Sequence, residues 1–130
     1  MTILSGILLV LHFIGLAAII GSWLTVLKAP RVVPGMLHGA LLQLISGLGL
    51  VGVLEASDAD VNHAKIAVKL VIAIVITILA FVGVRRLRKA AAPAGADQAV
   101  APAPSAVNTA LLGQLCGVLA VVNVVIAVFW

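Results

Sequence analysis

The chain has 130 residues, and 64% of them are hydrophobic whereas only 9% are charged. A soluble domain is about 45–50% apolar and about 25% charged, so this composition excludes an ordinary soluble protein and predicts an integral membrane protein. The net charge of +4 comes from basic residues at the ends of apolar segments, where they contact lipid headgroups, so we expect no nucleic-acid partner.

The first apolar segment predicts a transmembrane helix over 3–27. It lacks the basic start and the cleavage site of a signal peptide, and its apolar run is too long for one. Pro30 and Pro34 end the helix because proline cannot continue it, and Lys28 and Arg31 place the following connection in the cytoplasm.

A second helix is predicted over 35–54, and an acidic turn with Glu55, Asp58 and Asp60 follows it. This turn precedes the third helix, where negative charge complements the positive end of the helix dipole. Because the second helix crosses the membrane from the cytoplasm, the acidic turn belongs on the external side.

The third helix, over 63–84, is the most strongly marked segment, because Lys69 is the only charge between residues 66 and 84. At about 1.5 Å per residue, such a run crosses the roughly 30 Å hydrocarbon core of a bilayer. Basic residues are retained on the cytoplasmic side during insertion, so the cluster that ends this run marks that side. The cluster consists of Arg85, Arg86, Arg88 and Lys89.

An Ala/Pro-rich stretch over 90–105 predicts a flexible cytoplasmic linker, and a fourth helix is predicted over 106–129, with Trp130 as an interfacial anchor. The whole chain, 1–130, is then a single transmembrane domain. Six of the eight basic residues fall on the proposed inner side, so we expect both termini to be external. The predicted fold class is an all-α membrane protein, a four-transmembrane-helix bundle in the cell (plasma) membrane.

Small residues form a stripe on each helix, and in a bilayer such residues let helix backbones approach closely. The stretches from Gly35 to Gly39 and from Gly113 to Gly117 fit the GxxxG pattern. We expect these four glycines to lie at helix contacts, and Leu in place of Gln114, on the opposite face of the fourth helix, should be tolerated if that face meets lipid.

Among the polar residues within the apolar helices, the candidate intramembrane polar residues are His12, Gln43, Lys69 and Asn123. Counted from the helix midpoints, His12 lies about 4–5 Å and Lys69 about 7 Å outside the bilayer centre, with Asn123 at a similar level. These three residues could form a polar cluster, and an ionisable group inside a membrane marks a candidate functional site. The alternatives are that Lys69 reaches the headgroups or pairs with Glu55, and that His12 has a structural role, such as a hydrogen bond to Asn123.

The other two histidines, His38 and His63, differ from His12 in depth by about 15 Å and about 12 Å. The three side chains therefore do not converge, and no metal site is predicted. No nucleotide loop, Ser/His/Asp order, HExxH motif or intramembrane carboxylate pair is present, so we assign no catalytic residue.

Three phrases, LHFIGLA, MLHGALLQLISG and VNHAKIAVKL, resemble small four-helix membrane proteins of high-GC actinobacteria. A His in the first helix, a His opening the second and a Lys in the third also resemble the copper-resistance-D and HemJ-type groups. That second resemblance implies a haem cofactor, with His12 as the haem-binding histidine and Lys69 or Lys65 as the lysine needed for activity. The longer multi-helix context of those groups is absent here.

Three functions remain open at this point. The first is a non-enzymatic packing or accessory subunit, either as a homo-oligomer or within a larger membrane complex. The second is a haem- or redox-linked membrane protein that uses His12, with Lys69 nearby. The third is an oligomeric carrier or channel, which needs several copies because four helices leave little room for a pore.

Overall fold

The computed structural model describes residues 3–57, 60–91 and 105–130. These residues form four α-helices and no strand: α1 (Ile3–Thr25), α2 (Pro34–Ala56), α3 (His63–Ala91) and α4 (Ser105–Phe129). All four helices are long and apolar enough to cross a membrane. The predictions of an all-α chain and of four helices of membrane-spanning length are therefore confirmed.

The helix ends lie within two residues of their predicted positions, except that α3 extends seven residues further. α1 ends at Thr25, where the amide of Val26 bonds to the carbonyl of Trp23 in a turn. α3 continues to Ala91, because arginine, leucine and lysine favour helices and the basic residues of the last turn complement the helix dipole. The predicted linker over 90–105 lies outside the described residues from residue 92 to residue 104.

Consecutive helices run antiparallel, and each helix packs against two others. α1 and α3 both contact α2 and α4. The connection between α1 and α2 lies beside the end of α3 and the start of α4, and we call this the basic end because it carries Lys28, Arg31 and the basic residues of 85–89. The opposite end, which carries Glu55 and Asp60, is called the acidic end. There the ammonium group of Lys65 donates to the backbone carbonyl of Trp130 and connects α3 to α4.

The well-packed core lies in the half of the protein nearer the basic end. All four helices and the α1–α2 connection contribute to it. Its buried members are Ile19, Val26, Val32, Met36, Ala40, Ile76, Ala80, Val84, Cys116 and Ala120. The core therefore extends from the basic end to the middle of the helices, where Ile76 and Ala120 are its members nearest the acidic end.

Glycines bring the helices together at this core. A Cβ atom on Gly39 would lie 2.7 Å from the carbonyl oxygen of Gly15, so the α1 and α2 backbones touch at this crossing. A Cβ atom on Gly117 would overlap the ring of Trp23, and one on Gly35 would lie 2.5 Å from the hydroxyl of Ser22. The GxxxG glycines thus contact other elements of the same chain.

Gln114 takes part in a contact between α4 and α1, so its face of α4 does not meet lipid alone. The indole N–H of Trp23 donates a hydrogen bond of 2.8 Å to the side-chain oxygen of Gln114, and both residues are partly buried. A buried indole N–H needs an acceptor, and no apolar neighbour supplies one. The amide side chain therefore connects α4 to α1.

We expect Gln114→Leu to lower the free energy of unfolding by about 1 kcal/mol, because it leaves the Trp23 N–H without its acceptor. A double-mutant cycle with Trp23→Phe, measured by equilibrium unfolding in detergent, checks this. The two changes should be less than additive, because Trp23→Phe removes the same bond. Strict additivity would show that the bond contributes nothing.

The orientation of the chain in the membrane stays a prediction, and exposed residues at the two ends give its test. In a Cys116→Ser background, Ser57→Cys at the acidic end should react with an impermeant maleimide in intact cells. Ala29→Cys at the basic end should react only after permeabilisation, because basic connections stay in the cytoplasm. The reverse labelling pattern would overturn the predicted external termini.

Candidate functional site

A cavity of about 440 Å³ lies between the helices, displaced from the core toward the acidic end, and all four helices line it. Small-molecule sites in proteins have volumes of roughly 300–1,000 Å³ and mostly apolar walls with a few polar groups. The polar side chains on its walls are His12, Gln43, Lys69 and Asn123. We call this space the intramembrane cavity; its walls are otherwise apolar.

The imidazole of His12 is held between two residues of α2. Its Nδ1 lies 3.1 Å from the backbone carbonyl oxygen of Gln43 and 3.2 Å from the hydroxyl of Ser46. Its Nε2 lies 3.0 Å from the side-chain nitrogen of Gln43. Both ring nitrogens are therefore engaged, and the ring cannot rotate without breaking these contacts.

This arrangement defines one tautomer of His12. A carbonyl oxygen only accepts hydrogen bonds, so Nδ1 carries the proton and donates it to the Gln43 backbone. The amide nitrogen of the Gln43 side chain only donates, so Nε2 is the acceptor. The network is therefore complementary to a neutral imidazole.

Ser46 supports this network from the next turn of α2. Its hydroxyl donates a hydrogen bond of 2.6 Å to the carbonyl oxygen of Leu42, so a lone pair of the hydroxyl oxygen can accept from His12. Gly47 lies against the same ring, since a Cβ atom there would be 3.2 Å from His12 Cε1. The signal for both residues is their helical spacing from Gln43, which places them on the α2 face toward α1.

Two buried carboxamide oxygens at this site have no hydrogen-bond partner among the described residues, namely Gln43 Oε1 and Asn123 Oδ1. Both residues also line a second, much smaller void of about 10 Å³ beside the cavity, which has room for about one water molecule. The expected hydrogen bond between His12 and Asn123 is not formed, because His12 is satisfied by α2 instead.

Lys69 lies on the wall of the cavity and is partly buried. Its proposed partner Glu55 lies elsewhere, with a carboxylate oxygen 3.6 Å from His63 Nε2 at the exposed acidic end. The structure thus places Lys69 with His12, Gln43 and Asn123 rather than in the pair with Glu55.

The remaining histidines do not reach the cavity. His38 lies near the basic end, where its Nδ1 is 2.8 Å from the carbonyl of Pro34, and His63 is exposed at the acidic end. Within residues 3–57, 60–91 and 105–130, no group of three or more His, Cys, Asp or Glu side chains could hold a metal ion.

Four helices that are long and apolar enough to cross a membrane, with a partly polar cavity between them, are compatible with a small multi-pass integral membrane protein. Comparison of the chain with protein-family models, with curated proteins and with solved structures found no match.

Proposed function

We propose that this membrane protein is a four-helix bundle that binds a small, mainly apolar molecule in the intramembrane cavity. The single observation that carries the proposal is the cavity itself, about 440 Å³ in volume and lined by all four helices. A protein that only packs against partners gains nothing from such a space, because every unfilled volume forfeits van der Waals contacts.

The opening of the cavity supports entry from the lipid phase. Phe13 and Val128 line it, and their side chains are 58% and 70% exposed on the outside of the helices. At the depth of a spanning helix this outer surface faces acyl chains. A molecule dissolved in the membrane could thus reach the cavity without crossing water.

The packed half argues against a channel within one copy. In the described residues, Met36, Ala80 and Cys116 are fully buried between the cavity and the basic end. The cavity is consequently closed on that side, as in a binding site. A carrier or channel would require several copies or a large rearrangement.

The test uses a naphthalene derivative, 2-methoxynaphthalene, and thermal unfolding of the protein in a fixed detergent. A ligand that binds only the folded state raises the midpoint temperature of unfolding. The rise grows with the ratio of the ligand concentration to its Kd. Ala73→Phe should abolish this rise, because Ala73 lines the cavity. The matched control is Val71→Phe, since Val71 lies on the same helix and is 60% exposed.

If Ala73→Phe does not fold, Ala127→Phe at another position of the cavity wall replaces it. Equal midpoint shifts in the cavity variant and in Val71→Phe would mean that the probe acts through the micelle. That result would overturn the proposal.

Haem is a second candidate ligand, and the hydrogen bonding of His12 favours it. A metal-binding histidine commonly donates its other ring N–H to a carbonyl, as His12 Nδ1 does to Gln43. His12 Nε2 would hold the haem iron if the Gln43 amide moved aside, and the Lys69 ammonium on the same wall would suit a propionate. A bound haem supplies one-electron redox chemistry.

The visible spectrum tests this second candidate. Protein expressed or reconstituted with haem should show a Soret band that His12→Ala removes while the helical circular dichroism remains. His38→Ala is the control, because His38 does not line the cavity. A colourless preparation after reconstitution would exclude haem. The accessory-subunit role predicted from the sequence stays a prediction, which co-purification of a stoichiometric partner would test.

A further inference from the structure

We propose that the intramembrane cavity selects a molecule whose polar head is a neutral hydrogen-bond donor, a hydroxyl group on an apolar body. This inference rests on the proposed binding function and adds the chemical class of the ligand. It starts from the two unpartnered carboxamide oxygens, Gln43 Oε1 and Asn123 Oδ1.

Both oxygens are acceptors, so the group that they lack is a donor. Gln43 is only 7% exposed, and its amide nitrogen is already committed to His12 Nε2. Rotating the amide by half a turn would place its oxygen against His12 Nε2, which is itself an acceptor. The orientation of Gln43 is therefore set by His12, and its buried oxygen stays without a partner among the described residues.

The position of the two oxygens favours the head group of a ligand. Gln43 and Asn123 line both the water-sized void and the large cavity, so a molecule in the cavity can extend a small group to them. A void of about 10 Å³ admits a group about the size of one water molecule, such as a hydroxyl. The apolar remainder of the molecule would then lie along the apolar walls.

Charge distinguishes a hydroxyl from an ammonium donor. Lys69 lies on the same cavity wall, and within a low-dielectric interior two like charges repel strongly. His12 is neutral in its hydrogen-bond network and brings no compensating negative charge. No Asp or Glu lines the cavity among the described residues. A neutral donor is therefore preferred over a cationic one.

The experiment compares 2-naphthol with 2-methoxynaphthalene, which share an apolar body but differ in the O–H donor. Apparent Kd values come from the ligand dependence of the unfolding midpoint in detergent at pH 7. We expect the ether to bind about tenfold more weakly, because it leaves a buried acceptor unpaired.

Asn123→Leu should bring the two affinities to within about threefold of each other, because it removes one of the two acceptors without touching the partners of His12. The matched control is Gln114→Leu, which removes a carboxamide from the same helix but does not line the cavity and should keep the tenfold preference. If Asn123→Leu fails to fold, Asn123→Ala takes its place.

The outcomes separate the two proposals. In one outcome, the wild-type protein binds both probes with equal affinity and Ala73→Phe binds neither. This result would overturn the donor selectivity but leave the cavity as a binding site. The two oxygens would then be satisfied by water alone. Binding of neither probe would overturn both proposals. A preference that survives Asn123→Leu unchanged would also overturn the inference.

Discussion

Gly39→Leu should destabilise the protein more than any other single substitution in α2. A Cβ atom at this position would lie 2.7 Å from the backbone oxygen of Gly15 and 2.9 Å from Ala18 Cβ. Neither atom can move without shifting α1, so the crossing of α1 and α2 must open. Overpacking typically costs about 1–3 kcal/mol, and we expect Gly39→Leu to lower the free energy of unfolding by an amount at or above the upper end of this range. The effect of Gly39→Ala should be intermediate.

The measurement is equilibrium unfolding by SDS titration in mixed micelles, followed by circular dichroism. Gly52→Leu is the matched control, because Gly52 lies on the same helix and has nothing within 4 Å of its Cβ position. A control that loses as much stability as Gly39→Leu would show that the effect comes from helix propensity or from the detergent, and would contradict the close crossing.

Gly113→Leu should have a comparable effect at the other side of the core. A Cβ atom there would lie 2.6 Å from the carbonyl oxygen and 2.7 Å from the carbonyl carbon of Arg31, which belong to the α1–α2 connection. The obstacle is backbone, so a rotamer change cannot relieve it. We expect the free energy of unfolding to fall by about 3 kcal/mol and α4 to associate more weakly with the rest of the protein.

Limited proteolysis and SDS titration can both detect this change. Gly21→Leu is the control, since Gly21 lies toward the same end, is exposed and has open space around it. Equal protease resistance of Gly113→Leu and the wild-type protein would mean that α4 does not pack on the connection as the structure shows.

The two substitutions bear on function as well as on stability. The Gly15–Gly39 crossing places His12, one turn from Gly15, against Gln43, one turn from Gly39. Opening this crossing should separate the imidazole from both of its Gln43 contacts. A partly folded Gly39→Ala variant should therefore also bind the naphthalene probes more weakly than Gly52→Ala.

Much of the fold could be predicted from the sequence, because membrane insertion depends on properties that are local in the chain. Length and apolar composition of each segment determine whether it can span a bilayer. The helices have the predicted number, and only the end of α3 lies more than two residues from its predicted position. Pro30 and Pro34 mark the first connection for an equally local reason, because proline has no backbone N–H to donate to a helical hydrogen bond.

The partners within the site could not be predicted in the same way. The position of His12, Lys69 and Asn123 along their helices predicted their depth in the membrane. It did not predict their neighbours, because each residue along a helix turns the side-chain direction by about 100°. A small error in the rotation of a helix about its axis therefore changes every predicted neighbour. Depth alone favoured Asn123 as the partner of His12. The structure instead pairs His12 with Gln43, because α1 and α2 touch at their glycines.

The sequence by itself thus determined the class of protein, the number of its helices and the asymmetry of charge between its two ends. Only the tertiary structure decided that the core fills one half, that Gln114 faces inward, and that four polar side chains share one cavity. The physical reason is that these features depend on how close the helices approach one another. That distance depends on which glycine faces which backbone atom, a relation between residues far apart in the chain.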